Sequence, residues 1–496
     1  MAEGDHDRSA LERMREARLT KVEALRAAGG EPYPYRFERT ALAADLHARF
    51  DDLAAGTDTG EIVTVAGRLM NVREIGGLSF GVLQDVSGQI QLFVSEEGLG
   101  DRYAAFSDLD AGDWVGASGE VVTTKRGELS VRVAEFQLLA KGLLPLPEKW
   151  DGLVDVEKRH RQRYLDLIVN PEARRVMAAR IDTVASLRST LADRDFVEVE
   201  TPLLHELAAG ALARPFVTHH DALGIDMYLR IAIELHLKRL VVGGVERVFE
   251  IGRVFRNEGV SVRHNPEFTM LEAYQALADY GDMAELTEAL VSNAAMAVCG
   301  TTELTYQGKP LSLTPPWSRI RYFDSIADAT GEAWSPAMSV TEARALAKKA
   351  GVQYEQPWGV GKIVAEMFEA VVEPTLWNPT FVMDFPKEIS PLAKDHRTMP
   401  GLVERFEVIC TGTELANAFS ELNDPVEQRR RFEDQVKARK AGDEEAHPMD
   451  EDFIRALEYG LPPTGGLGVG VDRWVMLLTD QSSIREVLLF PALRPE

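Results

Sequence analysis

Between Ser9 and Ala28 apolar side chains recur every three to five residues, at Leu11, Met14, Leu19, Val22 and Leu25. That spacing predicts an amphipathic helix. Arg13, Arg15, Arg18, Lys21 and Arg26 are interspersed with them, so the helix reads either as a plain exposed element or as a basic arm for RNA. Gly29-Gly30 and Pro32-Tyr33-Pro34 end it. Five strand-like runs follow: Ile62–Leu69, Leu78–Leu83, Ile90–Val94, Trp114–Val122 and Leu129–Leu138. Turns rich in Gly, Asp and Ser separate them, and a helix near Tyr103–Phe106 falls between the third and fourth.

Five strands with a helix after the third is the order of an oligonucleotide-binding (OB) barrel. Phe80 and Phe93 sit on its strands, either as base-stacking platforms or as core residues. Past Leu144-Pro145-Leu146-Pro147 the pattern changes. A long helix is predicted over Pro171–Asp193, with Val176, Ala179, Val184, Leu187 and Leu191 close to one face. Strands dominate from Phe196, and the Ala- and Glu-rich stretch 325–372 reads as a helical insertion. The expected division is a helical arm over 1–35, the barrel over 36–145, a linker over 146–170 and a larger domain over 171–496.

Composition narrows the class. A chain of 496 residues exceeds one ordinary core, and 45% hydrophobic with 27% charged residues is a soluble balance. No run approaches the roughly 18 apolar residues of a membrane span. The polar, acidic N-terminus is not a secretory signal. Cys299 and Cys410 are isolated in sequence, so a disulfide framework is not expected and a reducing cytoplasm is. The ten histidines contain no HExxH spacing, so a zinc hydrolase has no motif here. The net charge of −24 argues against a nucleic-acid-coating surface, although it does not fix local charge.

Four segments carry dense polar residues amid strand patterns: Phe196–Pro202, Arg247–Tyr274, Glu407–Asp424 and Gly465–Arg473. Extended-chain parity puts Arg256 with Glu258, and Phe268 with Glu272 and Tyr274. A long hairpin turning near 259–265 would gather them on one surface. Asn417, Phe419 and Glu421 alternate onto one face. Glu407 and Glu414 flank a turn near Gly412, and paired carboxylates beside a triphosphate suit Mg²⁺. Glu414 differs in parity from Asn417, so a bulge or twist is required to gather all five. In Gly465–Arg473 the glycines permit a close approach by ligand or backbone. Gly359-Val360-Gly361-Lys362 lacks the spacing of a Walker loop.

Phe255-Arg256-Asn257-Glu258, Arg263–Phe268 and Gly465–Arg473 resemble motifs 2 and 3 of the class II aminoacyl-tRNA synthetases, and Pro202 after its long helix resembles motif 1. Ala213–His220, Asp226–Ile231, Leu237–Gly244 and Asn417–Asp424 resemble the bacterial lysine branch. The resemblance implies an α+β protein: a five-stranded OB barrel and a catalytic domain of antiparallel sheet flanked by helices. It implies ATP-dependent formation of lysyl-adenylate and transfer to lysine tRNA by a cytoplasmic homodimer, with up to three Mg²⁺ and neither membrane nor DNA as partner.

Roles follow by resemblance. Arg256 and Arg473 would be the catalytic cations, and Arg256, Glu258, His264, Asn265, Phe268 and Arg473 would bind ATP. Gly210, Glu234, Arg256, Glu272, Tyr274, Asn417, Phe419, Glu421 and Gly470 would bind lysine, with Glu234 at the α-amine and Glu421 at the ε-ammonium. Glu407 and Glu414 would hold Mg²⁺, and Arg73, Phe80 and Gln91 would contact the anticodon. Two departures stand out: Ala209-Gly210-Ala211 replaces Gly-Gly-Ala, and Ala232-Ile233-Glu234-Leu235-His236 replaces Ala-Pro-Glu-Leu-Tyr. The first is expected to place a methyl beside the amino-acid pocket. A protein-modifying paralogue would lack the barrel, an aspartyl or asparaginyl enzyme would not want Glu421, and a non-catalytic relative would lose the motif charges.

Overall fold

The computed structural model describes residues 2–147, 153, 155–211, 213–356, 358–440 and 446–494. Positions 148–152 and 154 of the expected linker lie outside the described residues. The chain forms two compact units, Met1–Val154 and Asp155–Glu496.

In the first unit, helix α1 spans Ala2–Ala27. It buries Val22 and leaves Leu11 and Met14 half-exposed. Arg18 donates to the carbonyls of Gly142 (2.8 Å) and Leu144 (2.9 Å), and Lys21 to that of Asp108 (2.8 Å). These two basic residues therefore fasten the helix to its own unit rather than standing free for RNA. Strands β1 (Asp58–Ile75), β2 (Leu78–Gln84), β3 (Gln89–Ser95), β4 (Trp114–Thr123) and β5 (Leu129–Ala140) close into a barrel in the order β1-β2-β3-β5-β4. β1 outruns its apolar stretch because it serves two neighbours, pairing with β4 up to Arg68 and with β2 from Arg68 onward. Val65, Leu69, Leu92, Val115, Val131 and Phe106 fill the interior. Phe80 and Phe93 are not in that core; they stack on the outer face with centroids 5.5 Å apart.

The second unit is built on eight strands: β6 (Val197–Glu198), β7 (Arg247–Phe255), β8 (Glu267–Ala276), β9 (Ser318–Arg321), β10 (Thr380–Met383), β11 (Arg405–Cys410), β12 (Thr413–Ser420) and β13 (Thr464–Gly470). Their order is β9-β10-β11-β12-β13-β8-β7-β6, antiparallel except for the outermost pairs β9–β10 and β7–β6. Helix α2 (Pro171–Ala192) starts with proline in its first turn and the Asn170 side chain accepting from the Glu172 amide. Helix α3 (Glu234–Val242) flanks the site, and α4 (Tyr280–Cys299) opens with an Asp279/Asp282 capping box. Helices α5 (Tyr322–Thr330), α6 (Val340–Ala350) and α7 (Val360–Val371) pack around their own core of Tyr322, Ile326, Ala347, Ile363 and Phe368. Helix α8 (Val471–Leu478) leaves β13 directly.

One face of the sheet is dry. Leu271, Ala273, Leu467 and Val469 pack there against Leu187 of α2, Leu290 of α4 and Trp474 of α8. Because strand side chains alternate, the intervening residues of β8, β12 and β13 must face the other way. That opposite face carries the cavity.

Candidate active site

A cavity of about 430 Å³ lies over the centre of the sheet. Its floor is glycine. Gly468 of β13 stands between Glu272 of β8 and Asn417 of β12, and Gly466 between Tyr274 and Phe419. Side chains thus rise on both sides of a bare backbone strip. A Cβ on Gly466 would fall 1.9 Å from Glu421 Oε1 and 2.6 Å from a Tyr274 ring carbon, so nothing larger fits. Gly210, with φ of +96°, forms part of the wall.

At one end the charges are acidic and buried. Ile233 precedes α3, and its amide donates to Glu272 Oε1 at 2.9 Å. The Tyr274 hydroxyl donates to Glu272 Oε2 at 3.0 Å. Burial and then the nearby Glu234 push the Glu272 carboxyl up to about 7. Glu234 lines the cavity and pairs with Lys238 one turn along α3. Glu421 is not exposed in the cavity, but its carboxylate adjoins the floor at Gly466 beside Tyr274. It is fully buried against the cavity side of Gly466 and paired with Lys238, and among the described residues its Oε1 has no hydrogen-bond partner. Burial raises the Glu234 and Glu421 carboxyls despite the Lys238 charge. Burial alone would depress the Lys238 ammonium, but the two carboxylates outweigh it and hold it above its ordinary value.

At the other end the charges are basic. β7 stops at Phe255, so Arg256 and Glu258 lie in the hairpin loop rather than on the strand. The Arg256 amide still donates to the Pro266 carbonyl (2.9 Å), but Pro266 has no N–H to return and the ladder ends. The Arg256 guanidinium covers the Phe268 ring at 5.2 Å, and its buried Nε has no hydrogen-bond partner among the described residues. Arg473, in the first turn of α8, donates to the Glu414 carbonyl and reaches its carboxylate at 3.5 Å. His264 is lowered by burial and then by Arg473. Asn265 lines the cavity, but its carboxamide is occupied: Nδ2 donates to the Glu267 carbonyl (2.6 Å) and Oδ1 accepts from the Ala492 amide (3.1 Å).

The parity mismatch at Glu414 is resolved by a β-bulge. Val408 pairs with Ala416, yet Ile409 pairs with Glu414, leaving Leu415 as the extra residue. Glu414 thereby joins Glu407, Asn417 and Phe419 along the cavity. Burial and then Glu414 push the Glu407 carboxyl up to about 8, against the pull of Arg405, whose Nη2 is 2.6 Å away. Hard carboxylate oxygens held against each other suit a hard divalent cation.

The cavity brings together Gly210, Glu234, Arg256, Glu258, His264, Asn265, Phe268, Glu272, Tyr274, Glu407, Glu414, Asn417, Phe419, Gly470 and Arg473. Ala209 is buried with Ile233 and Tyr274 in an apolar cluster beside the cavity, which it does not itself line. Arg405, Lys238 and His447 went unread in the sequence. Arg405 shares parity with Glu407 on β11, and Lys238 stands four residues after Glu234, so both left a signal. His447 sits on an irregular segment with no period to mark it.

On the barrel, Arg73 of β1 lies opposite Phe80 of β2, Phe80 opposite Phe93 of β3, and Phe93 opposite Arg132 of β5. Gln91 occupies the adjacent row, with Nε2 donating to Ser130 Oγ at 2.9 Å. Two aromatic rings beside Arg73 make an outward surface suited to bases and phosphates, while Arg132 is ion-paired with Asp58 and Glu120.

Residues 155–494 match the family described as tRNA synthetases class II (D, K and N), and residues 63–139 match the OB-fold nucleic acid binding domain. The chain belongs to the class II tRNA synthetases of this D, K and N group. It is 53% identical over 490 residues to the lysine–tRNA ligase of Thermosynechococcus vestitus, covering 97% of each chain. It is also 53% identical to that of Carboxydothermus hydrogenoformans, covering 98% of this chain and 99% of the relative. With the lysine–tRNA ligase of Moorella thermoacetica the identity is 54% over 480 residues, 97% of each chain.

Proposed function

We propose that the chain activates L-lysine with ATP and transfers it to the 3′ end of lysine tRNA. The observation that carries the substrate choice is a charge tally at the acidic end. Glu234, Glu272 and Glu421 are three carboxylates against one ammonium, Lys238. Ionised, they leave a deficit of two positive charges on side chains buried at the cavity's end. Lysine brings two ammonium groups. An aspartate side chain would add a fourth carboxylate, and a neutral one would leave the deficit unmet.

In the mechanism that fits, Arg256 holds the lysine carboxylate against the ATP α-phosphate, a pairing its planar fork can make at both. The Nε, without a hydrogen-bond partner among the described residues, supports that role. The carboxylate oxygen attacks the α-phosphorus and pyrophosphate leaves. Phe268 and Arg473 take the adenine between ring and guanidinium once Arg256 moves off the ring. A terminal ribose hydroxyl of the tRNA then attacks the activated carbonyl and AMP leaves. Orientation and charge neutralisation supply the acceleration, with no side chain required as general base.

Glu407 and Glu414 would hold Mg²⁺, which neutralises phosphate charge when bound. Among the described residues no three His, Cys, Asp or Glu side chains converge as a self-sufficient metal cage. The triphosphate must therefore contribute ligands, as is usual for Mg²⁺. Arg73, Phe80 and Gln91 offer an anticodon surface. A homodimer is the assembly that the motif 1 resemblance around Pro202 implies. Among the described residues no helix is long and apolar enough to cross a membrane. We place the enzyme in the cytoplasm, where its two free cysteines stay reduced.

The test is ATP–pyrophosphate exchange with each of the twenty amino acids, followed by charging of bulk tRNA. Lysine-dependent exchange with charged lysine tRNA is expected. Exchange with another amino acid, or lysine exchange without charging, would refute the reading.

A further inference from the structure

Lys238 is fully buried, yet it is neither a surface charge nor part of the dry core. It projects from α3 between two carboxylates that belong to different elements. One is Glu234 on its own helix, whose Oε1 it contacts, and the other is Glu421 just past β12, whose Oε2 it contacts. Its ammonium also lies 5.4 Å from the centroid of Phe419 and 5.9 Å from that of Phe453. Glu234 and Phe419 both line the cavity, whereas Lys238 does not.

Each carboxylate is therefore held by one oxygen. Among the described residues the other oxygen of Glu421 has no hydrogen-bond partner, and it lies where a Cβ on Gly466 would be, on the cavity side of the glycine floor. An ammonium bridging two carboxylates by one oxygen each fixes their planes and leaves the remaining oxygens for a ligand. Without it, three buried carboxylates would face one another unscreened.

Building on the lysine reading above, we propose that Lys238 is a positioning and specificity-setting residue of the amino-acid pocket. It pins one oxygen of Glu234 and one of Glu421, and it trims the pocket's charge so that a substrate with two ammonium groups completes it. The role is indirect: Lys238 acts through the two glutamates and touches no reacting atom.

The substitutions Lys238→Met, which keeps the chain length without the charge, and Lys238→Arg, which keeps the charge, separate this role from simple packing. Lysine-dependent ATP–pyrophosphate exchange is measured for both and for the wild type, with KM for ATP as an internal control on folding. Lys238→Met is expected to raise the lysine KM at least 100-fold while kcat and the ATP KM change less than threefold. Lys238→Arg is expected to recover at least tenfold of that loss. Should Lys238→Met fail to fold, Lys238→Arg is read against Lys238→Gln in the same way. A lysine KM within threefold of wild type in the neutral variant overturns the proposal. So does an equal loss in kcat and ATP KM, or an arginine variant no better than the neutral one. Absence of lysine-dependent exchange in the wild type overturns the parent reading and this one with it, whereas the other outcomes leave the parent reading standing.

Discussion

Single atoms decide much of this site. At Ile233, which departs from the Ala-Pro-Glu-Leu-Tyr pattern that the resemblance implies, the backbone N–H donates to the buried Glu272. Proline has no N–H, so Ile233→Pro would remove a bond that favours the ionised carboxylate. The Glu272 carboxyl, already near 7, should rise further. The variant is expected to bind lysine about tenfold more weakly at pH 7, a loss of about 1.4 kcal/mol, and to recover by pH 9. Lysine titration calorimetry at both pH values checks this, and an equal change at each would sink it. The sequence marked Ile233 as a departure but not its consequence, because the partner lies on a strand about forty residues away. Ala209, the other departure, points into apolar packing and carries no comparable chemistry.

At the scale of elements, β13 and the bulge in β12 organise the cavity. Gly466→Ala would drive a methyl into Glu421 and Tyr274. The expected result is a loss of about 1–3 kcal/mol in stability, read by urea unfolding, with a lysine KM raised at least tenfold. A normal KM would mean the floor is not where lysine lies. Alternation along β8, β12 and β13 was legible from the sequence, and it located Phe268, Glu272, Tyr274, Asn417 and Phe419 correctly on one surface. The same parity showed that Glu414 needed a bulge without saying where, since a bulge is set by tertiary pairing rather than by local pattern. Arg256 and Glu258 were misplaced on a strand for a related reason: strand parity cannot see that Pro266 closes the ladder. Alternation gave the side on which Glu421 lies but not its depth, which is full burial.

Across the whole molecule, two kinds of binding should separate experimentally. Phe80→Ala removes half of the stacked pair on the barrel. It is expected to raise the tRNA KM in charging about 10–100-fold, in line with about 1–3 kcal/mol per stacked base, and to leave lysine-dependent exchange unchanged. Loss of exchange would assign Phe80 a structural role instead. The folded state also carries buried carboxyls near 7 at Glu272 and Glu373 and near 8 at Glu407. Because these exceed the unfolded values of about 4.3, their contribution is full below about pH 4 and is lost as pH rises through 7 to 8. His205 and His447, lowered to about 4, act oppositely, and their contribution is lost as pH falls from about 6.5. Ligand-free thermal stability should therefore fall between about pH 6.5 and 8, where the histidines are neutral in both states, and level off toward pH 9. Glu407→Gln should flatten that alkaline fall, and a melting temperature still rising at pH 9 would exclude the account. The barrel's run of strands was legible because it rests on periodicity, and the catalytic fold was implied by the motif resemblance; the charge balance was not legible, because it depends on which groups are buried together.

The Asn265 carboxamide, with Oδ1 on the Ala492 amide, has a practical corollary. The C-terminal segment is a mooring line for the hairpin loop: Arg161 and Arg163 also hold it, through the carbonyls of Arg494 and Leu489. Trimming the chain after Pro491 would cut the tether of a loop that carries Arg256 and His264. An expression design that shortens or crowds this tail would be felt first in nucleotide affinity, well before the protein lost its shape.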